Sequence, residues 1–144
     1  MSKLFVGILA LGLFCTMFAG CANANHKKPA SDTIQGGEYM RISAEEAKQM
    51  MVENNHVIIL DVRTPEEYEA KHIPGAVLVP NETITNQEIV GLGKEDTILV
   101  YCRSGNRSRQ AAEKLIAMGY QHVYDFGGIN TWQYETEAGA YQAK

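Results

Sequence analysis

Of the 144 residues in this chain only three are cysteine, and two of them, Cys15 and Cys21, lie in the first 21 positions. Cys102 is left without a pair, which excludes a disulfide framework as the source of stability. Basic excess is also missing. Thirteen Lys and Arg stand against 17 Asp and Glu, a net charge of −4, and without Lys3 the balance becomes 12 against 17, or −5. A duplex binder neutralises phosphates with a basic face, so no nucleic acid is expected as a partner. No apolar run reaches the roughly 20 residues of a spanning helix, and no internal repeat points to a solenoid. What is present, 45% hydrophobic, 21% charged and 8% aromatic residues in 15.9 kDa, is the composition of one folded globular domain.

Met1-Ser2-Lys3 precedes an uncharged apolar stretch from Leu4 to Ala19, which reads as the h-region of a secretory signal peptide, so residues 1–20 are set apart from the fold. The polar residues from Ala22 to Pro29 carry no stop-transfer pattern. Phe18-Ala19-Gly20-Cys21 resembles a bacterial lipobox, with Phe18 where an aliphatic residue is usual. That resemblance implies lipidation of Cys21 and a membrane lipid anchor. Ala22-Asn23-Ala24 is a competing A-x-A cleavage site that would release a soluble periplasmic or secreted protein. Either route places the domain outside the cytoplasm, in or beyond the cell envelope. Residues 21–38, poor in apolar side chains, read as a flexible tether, leaving 39–144 as the domain.

Within that domain strand and helix signals alternate. Tyr39-Met40-Arg41-Ile42 predicts a strand, and Ser43 with Glu46 forms a capping box that opens a helix through about Asn54. Val57-Ile58-Ile59-Leu60 is a continuous apolar run of the kind buried on both faces of a parallel sheet. Thr64-Pro65-Glu66-Glu67 repeats the helix-start signal, with the short helix ending before His72-Ile73-Pro74-Gly75. Ala76 to Val79 predicts a strand, Asn86 to Leu92 a weak helical pattern, and Thr97 to Tyr101 the clearest strand of all. Ser108 to Met118 predicts a helix closed by Gly119, His122 to Phe126 a strand, Gly127-Gly128 a turn, and Ile129 to Thr136 a last helix carrying Trp132. This order predicts βαβ units, and hence a mostly parallel sheet of about five strands with helices on both faces: a three-layer α/β fold.

In such a sheet ligands sit beyond the carboxyl ends of the strands, which is where Cys102 falls. The loop Cys102-Arg103-Ser104-Gly105-Asn106-Arg107-Ser108 joins the strongest strand to a helix. Its amides can converge on one point, and the helix N-terminus with nearby cations favours a thiolate. Gly105 allows a backbone turn that a Cβ would resist. The three arginines, Arg103, Arg107 and Arg109, make a pocket-sized charge suited to a small anion, with Arg109 read as structural.

That loop is similar to the active-site loop of the rhodanese family. Leu60-Asp61-Val62-Arg63-Thr64-Pro65-Glu66-Glu67-Tyr68 and His72-Ile73-Pro74-Gly75-Ala76 look like its upstream signature, and Gly127-Gly128-Ile129 with Trp132 resembles its closing segment. The resemblance runs from about Met40 to Tyr134 and implies a single rhodanese-like domain with sulfurtransferase activity. Cys102 would attack a sulfane donor such as thiosulfate and hold the sulfur as a persulfide, which a thiol, cyanide or protein acceptor collects. Residues Arg103 to Ser108 would bind the anionic donor. The resemblance implies no metal and no organic cofactor. Asp61 and Arg63 read as a structural ion pair or strand-end cap near the site, and His72 as a turn-ordering residue, because sulfur transfer between thiolates needs no proton donor. Trp132 and Tyr134 read as core or pocket wall.

Two other functions fit parts of the pattern. Cysteine phosphatases and arsenate reductases also place Cys and Arg at the two ends of an anion loop, but with Arg six positions on, whereas Arg107 stands five after Cys102. A non-catalytic module that binds a partner or carries sulfur would keep the fold without turnover.

Overall fold

The computed structural model describes residues 38–142. The expected signal peptide (1–20), Cys21 and the expected tether up to residue 37 therefore lie outside the described residues. Strand β1 (Glu38–Arg41) begins one residue before the expected domain boundary. There follow α1 (Ala44–Glu53), β2 (Ile58–Asp61), α2 (Pro65–Ala70), the two-residue β3 (Val77–Leu78), β4 (Thr97–Cys102), α3 (Asn106–Ala117) and β5 (His122–Gly128). The five strands form one sheet in the order β1-β5-β4-β2-β3, every pairing parallel. This is the α/β architecture expected from the alternation of signals.

Period-two alternation along the central strand β4 divides the core. Ile98, Val100 and Cys102 face a cluster with Ala111, Ala112, Leu115 and Ile116 of α3, while Leu99 and Tyr101 face Ala47 of α1, Tyr68 of α2, Phe126 and Trp132. Leu115 is fully buried, and its truncation to Ala would cost about 2–5 kcal/mol. The first two helices start as their sequence dictates. Ser43 and Thr64 accept from the N–H groups of Glu46 and Glu67, whose carboxylates reach back to the cap amides. α3 is closed just past its end by Gly119, which takes φ +88 while the Tyr120 N–H bonds the Leu115 carbonyl at 3.1 Å.

Three local expectations are corrected. Asn86 to Leu92 is not helical: Gly91 adopts φ +85, and the Ile89 N–H bonds the Tyr120 hydroxyl at 3.3 Å instead of a carbonyl one turn back. A 3₁₀ turn at Asn81–Thr83 stands before this segment. Gly127 and Gly128 belong to β5 and are not a separate turn. The last helix is only a 3₁₀ turn, Ile129–Thr131. Beyond it Glu137 exchanges backbone hydrogen bonds with His72, at 2.9 and 2.8 Å, and this antiparallel bridge holds the chain extended where a helix would need those groups itself.

Candidate active site

Cys102 ends β4, next to Gly128 of β5, and its side chain is 1% exposed. The chain then leaves the sheet through Arg103 and Ser104 and turns at Gly105, which takes φ +103, into α3. The helix begins at Asn106, two residues before its expected start. The amides of Ser104, Gly105 and Ser108 thereby converge on the sulfur. The Gly105 N–H donates to Sγ at 3.1 Å, and the Ser108 Oγ lies 3.7 Å from it. Burial pushes the Cys102 thiol up, but the N–H groups of Ser108 and Gly105, the Ser108 hydroxyl and the Ser104 N–H more than offset it, and the net shift is downward. Hydrogen bonds to the charged form favour a nucleophilic thiolate.

Ser108 is fully buried and carries one hydroxyl proton. Its Oγ lies 3.1 Å from the carbonyl of Gly105 and 3.1 Å from that of Gly127. In the thiol form it can donate to either carbonyl while accepting from the S–H; once Cys102 ionises, the same proton can turn to the sulfur. Ser108 thus ties the loop to β5 as well as serving the thiolate.

Tight backbone approach holds the loop from the other side. A Cβ on Gly128 would stand 2.3 Å from the Arg103 carbonyl oxygen, a distance that only glycine permits. The Asn130 N–H accordingly donates to that carbonyl at 3.2 Å.

The loop residues read from the sequence divide by environment. Arg103, Ser104 and Asn106 are exposed and line an open mouth of about 520 Å³ together with Thr64, Glu67 and Arg107. Among the described residues Arg103 has no carboxylate at ion-pair distance. Arg107 is different: its guanidinium is bound at both terminal nitrogens by Glu67. Arg109 points away into an exposed pair with Glu113 at 2.6 Å.

Asp61 and Arg63 lie behind the mouth, both buried. The Asp61 carboxylate accepts from Arg63 Nη2 at 2.6 Å, from the Arg63 backbone N–H at 3.0 Å and from the Tyr101 hydroxyl at 2.6 Å. Arg63 also donates to the Lys71 carbonyl at 2.7 Å. His72 stacks on Tyr68 with ring centroids 3.7 Å apart, and its Nδ1 lies 2.8 Å from the Tyr68 carbonyl oxygen. Its Nε2 faces Glu137, and it lines a separate cavity with Tyr68 and Tyr141. Trp132 is packed in the core, while Tyr134 is 38% exposed at its edge.

Sequence reading had Glu67 only as a helix cap. Nothing in a separation of 40 residues announces its pairing with Arg107; the signal is topological, since β2 and β4 are neighbours and the helices leaving their carboxyl ends meet there. The close approach at Gly128 was equally hidden.

Residues 43–135 match the family model described as a rhodanese-like domain. The chain is 41% identical over 71 residues to the thiosulfate sulfurtransferase PspE of Escherichia coli, covering 49% of this chain and 68% of that one. It is 34% identical over 97 residues to the thiosulfate sulfurtransferase GlpE of Pseudomonas entomophila, covering 67% and 86%. Against the adenylyltransferase and sulfurtransferase UBA4 of Meyerozyma guilliermondii and of Candida albicans the match spans only 22% and 24% of those longer proteins. A crystal structure of a rhodanese-like domain protein from Staphylococcus aureus superposes with a TM-score of 0.62 at 33% identity, over 70% of this chain and 99% of that one. Relatives named thiosulfate sulfurtransferase support a sulfurtransferase kind of function. With the cysteine loop at the end of the central strand of an all-parallel five-stranded sheet, and a family match covering the domain from α1 past β5, this chain belongs to the rhodanese-like domain family.

Proposed function

We propose that the protein moves sulfane sulfur from a small anionic donor such as thiosulfate to a thiol or cyanide acceptor through a persulfide on Cys102. The observation that carries this reading is the cradle of amides around a thiol whose ionisation they favour. The Cys102 thiolate attacks the outer sulfur of thiosulfate. The sulfur–sulfur bond of the donor breaks and sulfite leaves with its electron pair, so that one thiolate and one dianion become one persulfide anion and one dianion. The acceptor then attacks the outer sulfur of the persulfide, and the pair returns to Cys102. This double displacement is covalent catalysis with two half-reactions.

The site supplies both halves. The amides of Ser104, Gly105 and Ser108 that favour the thiolate would stabilise the persulfide anion in the same way. Arg103, at the mouth and without a carboxylate partner among the described residues, offers its charge to the donor and to departing sulfite. Arg107 acts in a second rank, because Glu67 already holds its fork. The leader and lipobox-like sequence support a location in the bacterial cell envelope, with the domain tethered through Cys21.

Incubating the purified protein with thiosulfate and measuring intact mass tests the reading. A gain of roughly 32 Da in the wild type, absent in Cys102→Ser and discharged by cyanide as thiocyanate, is the expected result. Hydrolysis of a phosphate ester with no sulfur uptake would replace it with the phosphatase reading. Silence in both assays would leave a binding module.

A further inference from the structure

Arg41 ends β1 at the carboxyl edge of the sheet, exposed, and among the described residues it makes no ion pair and no side-chain hydrogen bond. Its guanidinium nevertheless lies against the cysteine loop. Nη2 is 3.2 Å from where a Cβ on Gly105 would stand and 3.9 Å from the same point on Gly127. Two glycines therefore leave room for the fork to rest on the backbone that turns around Cys102. The acidic group nearest in register is Asp125 on β5, but it is buried and accepts from the Tyr39 hydroxyl at 3.1 Å and the Gly127 N–H at 2.9 Å. It is turned into the protein and leaves the guanidinium unpaired.

Arg41 opens into a cavity of about 440 Å³ lined also by Ser43, Ser104, Gly128, Asn130 and Thr131. The Ser43 hydroxyl is engaged with Glu46, and the Thr131 hydroxyl donates to the Gly128 carbonyl. The side-chain donors left are the Arg41 fork, the exposed Asn130 amide and the exposed Ser104 hydroxyl. Ser104 lines both this cavity and the mouth beside Cys102, so the two spaces adjoin across one residue.

We propose that Arg41, assisted by Asn130, forms a carboxylate subsite for the thiol that collects sulfur from Cys102, an inference that rests on the persulfide reading above. Compact reactants cannot use it. The sulfonate of thiosulfate is one bond from the transferred sulfur, so its charge stays in the mouth with Arg103, and cyanide is only two atoms long. An anion held beyond Ser104 belongs to a longer molecule. A thiol carrying a carboxylate several bonds from its sulfur has the right chemistry, and a planar guanidinium binds a carboxylate through two parallel hydrogen bonds. In the reaction the acceptor thiolate attacks the outer persulfide sulfur, that sulfur–sulfur bond breaks, and its electron pair stays on Cys102 as thiolate. The acceptor leaves as its own persulfide.

The test loads the full chain with thiosulfate, verifies one added sulfur by intact mass, and follows discharge by glutathione, glutathione dimethyl ester and cyanide. Arg41→Gln should load normally and need about tenfold more glutathione for half-maximal discharge, the scale of a lost charge-assisted pair, with ester and cyanide unchanged. Arg41→Lys should show a smaller rise. Asn130→Asp, an exposed change that brings negative charge into the cavity, should raise the glutathione requirement alone and stands in if loss of Arg41 disturbs folding. An equal slowing with all three acceptors would make Arg41 a prop for the loop and overturn the proposal, as would no change with any. Wild-type protein that takes no sulfur from thiosulfate would defeat the persulfide reading itself and the subsite with it.

Discussion

The two carboxylate oxygens of Glu67 meet the two terminal nitrogens of Arg107 at 2.7 and 2.8 Å. One of those oxygens also accepts the Thr64 N–H at 3.2 Å, so a single side chain caps α2, clamps it to the first turn of α3 and places a negative charge at the mouth. The hydrogen bonds from Arg107 outweigh partial burial and hold the Glu67 carboxyl at about 2. Its pKa is depressed on folding, so the stabilisation is fully present above the ordinary carboxylate value of roughly 4.3 and is lost as pH falls through the folded value. At neutral pH the clamp is intact.

Glu67→Gln should therefore move stability and substrate affinity in opposite directions. Losing a bidentate, partly buried pair should cost about 1–2 kcal/mol. Releasing Arg107 from its counter-charge should lower the thiosulfate KM by roughly threefold to tenfold. Urea denaturation and steady-state kinetics check the two halves; a raised KM would mean that Glu67 serves the donor by fixing the loop.

Ser108→Ala removes the hydroxyl that favours Cys102 ionisation. The pH dependence of wild-type alkylation should inflect below the roughly 8.5 of a free thiol, because hydrogen bonds favour the thiolate. In the variant the inflection should move upward, with alkylation at neutral pH slowed by about tenfold. Iodoacetamide rates across pH measure this directly, and an unmoved inflection would assign Ser108 to tying Gly105 and Gly127 together.

Glycine substitutions separate steric contact from backbone strain. Gly128 has ordinary extended angles, φ −132 and ψ 146, yet its Cβ would overlap the Arg103 carbonyl at 2.3 Å. Gly75 takes φ +77 with nothing within 4 Å of its Cβ position. Gly128→Ala should cost upward of about 3 kcal/mol and abolish sulfur loading by displacing the loop. Gly75→Ala should cost only about 1 kcal/mol and leave loading intact. Thermal denaturation and intact mass compare the two.

Much of this architecture was legible because it depends on local chemistry. Capping boxes at Ser43 and Thr64 started helices as the sequence indicated, and the apolar run before Cys102 is the fully paired centre of the sheet. What failed depended on distant partners. Ile129 to Thr136 has a helical pattern, but Glu137 gives its backbone groups to His72, 65 positions earlier. Ile89 surrenders its N–H to the hydroxyl of Tyr120. At the site the loop was visible as a contiguous motif, whereas Glu67, Arg41 and Gly128 come to it from three other segments, brought together only by strand order.

The proposed anchor at Cys21 is tested by labelling. With the lipobox-like reading, expression of the full chain in a bacterium fed labelled palmitate should give a labelled, membrane-associated protein, and Cys21→Ser should lose the label. Label-free soluble wild-type protein beginning at Asn25 would favour cleavage after Ala24.

Asp61 distinguishes a structural ion pair from an acid–base role. Its carboxylate is fully buried and compensates Arg63, which is 3% exposed, while also receiving the Tyr101 hydroxyl. Asp61→Asn keeps the shape and one acceptor oxygen but leaves the guanidinium buried without a counter-charge. The cost should be about 3–5 kcal/mol, the scale of removing one partner of a buried pair. Sulfur transfer between thiolates needs no proton donor, so the folded fraction of the variant should load and discharge at the wild-type rate, measured at low temperature where the fold persists. A stable Asp61→Asn protein with slow loading would instead give this carboxylate a part in the chemistry, which its position behind the mouth, bound to Arg63 and Tyr101, argues against.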